Sequence, residues 1–143
     1  MKKIIGDDEI LKVIVEILFP FVIILGIYVV FNGHLSPGGG FSGGTILGAG
    51  LILYSTAFGV EKIQKYLNFR TFTILTSSAL IFYALIKGYS FMTGAAHIPS
   101  GIPLGIPGKI LSGGAILPLN VAVGIVVGCT IYGIYSLFTR GEI

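Results

Sequence analysis

The chain has 143 residues, 54% hydrophobic and 10% charged, with a mean hydropathy of +0.96. A soluble domain carries about 25% charged residues, so this composition excludes an ordinary soluble fold and points to one polytopic membrane domain. The net charge of +3 is too small and too scattered for nucleic acid, and the lone Cys129 allows neither a disulfide framework nor a zinc site.

The first stretch, Met1 to Lys12, mixes Lys2, Lys3 and Lys12 with Asp7, Asp8 and Glu9. Asp7 or Asp8 can cap a following helix, because a carboxylate accepts from its free N–H groups. The acidic residues and the long apolar run behind them argue against a cleaved secretory signal. Residues 13–31 form the first expected span. At ~1.5 Å per residue it approaches the ~30 Å hydrocarbon core. Pro20 follows Glu16 by four residues and has no N–H, so the Glu16 carbonyl loses its helical donor. Two readings of Glu16 stay open. It is an interfacial acid in reach of Lys12, or it is a cation or proton contact, since an acid retained in lipid is costly.

Next comes Asn32-Gly33-His34-Leu35-Ser36-Pro37-Gly38-Gly39-Gly40-Phe41-Ser42-Gly43-Gly44, a polar island between apolar runs. It reads as a hairpin at a membrane surface whose end opens the next helix, expected over 43–60. Gly40, Gly44 and Gly48 recur every four residues, so they share one helical face if that helix starts early. This is the small-xxx-small pattern that lets two backbones approach closely in lipid. His34 is the only titratable group of the island. It is either a hydrogen-bonded loop histidine or a group that relays protons or guards an ion entrance.

Glu61 to Arg70 is the most charged segment and reads as a short loop or interfacial turn. A third span is expected over 71–92, with hydroxyls at Thr73, Thr76, Ser77 and Ser78. Lys87, near its far end, either snorkels to the surface or meets an ion. The stretch 93–118 repeats Ile-Pro at Ile98-Pro99, Ile102-Pro103 and Ile106-Pro107, which forbids regular helix. It is expected to be a long Gly/Pro-rich outer loop, either ordered and apolar against the complex or the interface, or flexible. The fourth span, 117–138, has Asn120 near its start and a second GxxxG pair, Gly124 and Gly128. Ser42-Gly43-Gly44 and Ser112-Gly113-Gly114 each lead into an apolar helix. A parallel repeat is conceivable, but the two halves do not otherwise match.

Lys2, Lys3, Lys12, Lys62, Lys65, Arg70 and Arg140 fall on one side of this layout, against Lys109 and Lys87 on the other. The positive-inside rule then predicts an all-α, four-helix, multi-pass protein of the cell membrane with cytoplasmic N- and C-termini. Gly38, Gly40 and Gly43 match G-x-G-x-x-G, but the run before them is membrane-spanning in length rather than a short strand, so a dinucleotide loop is rejected. His34 and His97 both fall in outward loops, unsuited to a haem within the bilayer, and no carboxylate or thiolate supports a metal there. No catalytic residue, cofactor or metal is expected. With Glu16 near one end and Lys87 near the other, any ion path must be completed by other subunits.

The string from Gly33 to Gly44, following one apolar helix and opening another, resembles the B subunit family of multisubunit Na⁺/H⁺ antiporters, of the Mrp or Mnh type. The length and four-span layout fit across nearly the whole chain. The resemblance implies a small accessory subunit without a cofactor, serving assembly or one side of a Na⁺ or proton path. Its implied partners are the other membrane subunits of such an antiporter. The same subunit type also occurs in archaeal membrane-bound hydrogenases and related respiratory complexes. From the family only Gly33 to Gly44 carry over, with Pro37, Gly38, Gly39, Gly40, Phe41, Gly43 and Gly44 as hairpin and packing residues. A purely structural scaffold without ion contact is the alternative.

Overall fold

The computed structural model describes residues 9–33, 39–96, 101–102 and 114–140. All regular structure among them is helical: α1 Glu9–Phe31, α2 Gly39–Phe58, α3 Val60–Gln64, α4 Phe69–Ala95 and α5 Ile116–Arg140. Four of these, α1, α2, α4 and α5, are long and apolar enough to cross a membrane. Pro20 lies inside α1 and leaves it continuous. His34, Pro37, Gly38, His97 and most of the Ile-Pro repeat lie outside the described residues.

Helix α2 is the centre of the bundle. It packs chiefly on α5 and on α1, while α4 packs chiefly on α5. Helix α1 runs antiparallel to α2: Gly43 faces Val30, Gly26 faces Ile46 and Leu47, and Gly50 faces Val22 and Ile23. Helix α5 runs parallel to α2, since Gly40, Gly44 and Gly48 meet Asn120, Gly124 and Gly128 in the same order. The register of this pair is eighty residues, whereas the two Ser-Gly-Gly tripeptides lie seventy apart. They are also unlike in structure: Gly43 and Gly44 lie inside α2, while Gly114 is a positive-φ turn residue before α5.

Two boundaries differ from the sequence expectation in an informative way. Helix α2 begins at Gly39 rather than 43, because its first glycines already lie against α5 and the end of α1. The charged 61–70 segment holds the short helix α3. The break between α2 and α3 is Gly59, at φ 87° and ψ 145°, a region open essentially to glycine. Its N–H still donates to the Ser55 carbonyl at 2.9 Å, closing α2. An aromatic ladder pins this end of the bundle. Phe19 stacks on Tyr54 (5.0 Å between centroids), Tyr54 on Phe58 (4.6 Å), and the Lys62 ammonium lies 4.7 Å from the Phe58 ring centre.

Candidate functional site

The most constrained feature is the seam between α2 and α5. A Cβ built on Gly40 would lie 2.7 Å from the Asn120 carbonyl oxygen, and one on Gly44 2.6 Å from that of Gly124. One on Gly48 would lie 3.1 Å from the Gly128 carbonyl oxygen. At Gly40 and Gly44 the nearest obstacles are backbone atoms, so a larger residue there cannot be absorbed by a rotamer change. Two helices in lipid gain nothing from hydrophobic burial against each other; close van der Waals packing of small residues is what holds them. The four-residue glycine spacing is therefore the cause of this contact.

The second face of α2 is closed in the same way. A Cβ on Gly43 would strike Val30, and one on Gly39 would strike the backbone of Gly33, so both ends of the hairpin touch through glycine. Phe41 points away and is exposed. Toward the far end the seam becomes polar. Thr56 donates to the Ile52 carbonyl at 2.8 Å and lies 3.3 Å from the Tyr135 hydroxyl. A hydroxyl has one proton, so Tyr135 is the donor in the second bond. Ser55, Tyr132 and Ser136 are enclosed around this pair, each at most 3% exposed.

The seam between α4 and α5 is different. It is closed at one end, where Phe72 abuts Gly133 and Thr76 sits against Cys129. It opens toward the other end, with clefts on both sides of the crossing. The larger, about 560 Å³, is bounded by Leu75, Ala79, Phe82, Pro118, Val121 and Ile125. A smaller recess of about 190 Å³ gathers Tyr83, Lys87, Ile116 and Asn120.

Of the ion-path residues read from the sequence, His34 lies outside the described residues, and Glu16 and Lys87 lie toward opposite ends of the bundle. Glu16 is exposed on α1, three residues before Phe19, at the end where α2 finishes. Lys87 is exposed at the level where α5 begins. Among the described residues no group of three His, Cys, Asp or Glu could hold a metal. Asn120 has a larger part than its sequence position suggested. Its backbone lies on Gly40, its amide nitrogen lies near Gly33, and it lines the Lys87 recess. A lone amide in the first turns of an apolar helix was the available signal. Gly26, Gly50 and Gly133 also contact neighbouring helices, but they fall outside the four-residue rows.

Residues 10–133 match a family described as a domain related to the MnhB subunit of Na⁺/H⁺ antiporter. The chain belongs to this MnhB-related family. It is also 34% identical over 92 residues to a protein of Staphylococcus aureus strain Newman whose name designates it a candidate antiporter subunit, mnhB2. Proteins of the same name from strains JH1 and Mu3 match equally. Each alignment covers 61% of this chain and 65% of the relative, just under two thirds of its length. The match agrees with the resemblance carried by Gly33 to Gly44. Together with four apolar helices it makes this MnhB-related chain a multi-pass protein of the cell membrane.

Proposed function

We propose that the chain is a small accessory subunit of a multisubunit Na⁺/H⁺ antiporter-type complex, acting in its assembly. The family match over residues 10–133 carries this reading. The helix arrangement supports the assembly role. Helices α1, α2 and α5 lock one another through glycine, while Ala79 is the one buried residue along the whole of α4. A helix so bare of intramolecular partners is suited to meet another membrane subunit. Charge supports cytoplasmic termini, because Lys62 and Lys65 lie on the α2–α4 connection and Arg70 in the first turn of α4.

In this reading the subunit catalyses no reaction by itself, and Na⁺ and H⁺ are the transported ions. Glu16, His34 and Lys87 are the groups through which it would touch an ion path. Deleting the subunit tests the proposal: Na⁺/H⁺ exchange in inverted vesicles and the assembled complex on a native gel should both be lost. Retention of both would sink it. Glu16→Gln and His34→Ala separate an ion contact from a scaffold, since a scaffold keeps normal exchange in both variants. The parent assembly is either a free-standing antiporter or a hydrogenase-type respiratory complex. A nickel-iron arm among the co-purifying subunits identifies the second.

A further inference from the structure

Helix α4 carries one charged side chain deep in its apolar length, Lys87, and the splayed α4–α5 seam opens beside it. The recess that holds Lys87 is also lined by Ile116, the first residue of α5. Lys87 therefore lies level with the start of α5, and α4 continues for two further turns to Ala95. Directly below, an apolar groove of about 140 Å³ shares Tyr83 and Val123 with the recess and runs on between Leu80, Val126 and Val127. Farther down, the Phe72–Gly133 contact closes the seam.

A cation level with the start of α5, at the head of an apolar groove that the Phe72–Gly133 contact closes farther down, matches an amphiphile with an anionic head. We infer that the α4–α5 seam seats one anionic phospholipid, its phosphate at Lys87 and an acyl chain along Leu80, Val123, Val126 and Val127. Tyr83 and Asn120 supply polar edges to the same recess. The charge of Lys87 selects the occupant: an apolar partner helix would leave an ammonium unmatched in a desolvated groove. The groove supplies an apolar contact for the upper part of an acyl chain, which free phosphate lacks. The inference gives Lys87 a lipid contact in place of the ion contact considered above, and it does not depend on which complex the chain joins.

Native mass spectrometry of the full chain in mild detergent tests it, with phosphatidylglycerol or phosphatidylcholine added. Phosphatidylglycerol should form a one-to-one adduct that phosphatidylcholine forms far less. Lys87→Gln should lower its occupancy about five-fold, the scale of one lysine's attraction to an anionic surface. Lys87→Arg should retain it, which also shows that the site tolerates substitution. Lys62→Gln, at the opposite end against Phe58, should leave it unchanged. Equal adducts with both lipids, an unaltered adduct in Lys87→Gln, or displacement by millimolar inorganic phosphate would each overturn the inference. So would a complex purified with its partners that carries no lipid.

Discussion

Helices α2 and α4 are both apolar enough to cross a membrane, and both carry glycines and hydroxyls, yet the protein uses them in opposite ways. Every glycine in the first half of α2 faces a neighbouring helix or, at Gly39, the turn that follows α1, whereas a Cβ added at Gly88 or Gly94 of α4 would meet nothing within 4 Å. The seam with α5 runs along Gly40, Gly44 and Gly48 for α2; for α4 it narrows to the Phe72 and Thr76 end and then opens. Glycine in a membrane helix is thus informative about packing only together with the residue that fills the space it leaves. On α2 that residue belongs to this chain. On α4 the space lies outside it.

The comparison predicts a large effect at the α2 seam. Gly44→Leu forces side-chain atoms into the Gly124 backbone and must separate α2 from α5. The expected cost is about 3 kcal/mol, the upper part of the overpacking range, read as a large fall in melting temperature. Cys129 is the only cysteine in the chain and is 5% exposed, so a thiol-reactive dye followed during heating in detergent reports unfolding directly. An unchanged melting curve for Gly44→Leu would mean that α2 and α5 are not in contact along this line.

Much of this seam was legible in the sequence, and much of its context was not. Gly40, Gly44, Gly48, Gly124 and Gly128 stood out because spacing by four marks one helical face, which is a local property of the chain. Their pairing was not legible, because nothing local encodes a register of eighty residues or the parallel sense of α2 and α5. Asn120 was visible only as a polar residue near a helix start, while its contacts with Gly33 and Gly40 depend on that register. The exposure of α4 was hidden for a different reason. Lipid-facing and helix-facing positions are both apolar, so hydropathy does not separate them. Helix α3 was hidden because five residues are too few to show a helical period.

A smaller effect is expected at the polar end of the α2–α5 seam. Tyr135→Phe removes the hydroxyl that donates to Thr56 but keeps the ring and its packing. Thr56 keeps its own bond to the Ile52 carbonyl, so no new orphan donor is created. Side-chain hydrogen bonds between membrane helices average about 0.6 kcal/mol, and the melting point should fall by a correspondingly small amount. A loss as large as that of Gly44→Leu would place the main strength of the seam in its hydroxyls rather than its glycines.

The smallest effect should come from Gly88→Ala on α4. The added methyl has nothing within 4 Å to strike, so this chain offers no steric penalty. Alanine is also the better helix former, by about 1 kcal/mol in soluble hosts, which pushes the change toward neutral or slightly stabilising. The same substitution at Gly44 meets the Gly124 carbonyl at 2.6 Å and should be clearly destabilising. Melting the two variants of the isolated chain side by side isolates the role of the neighbour, since the chemical change is identical. If Gly88→Ala is neutral alone but lowers recovery of co-purifying subunits, the space beside Gly88 is filled in the complex by another helix. If it destabilises the isolated chain as much as Gly44→Ala does, α4 is packed within this chain and the contrast between the two helices fails.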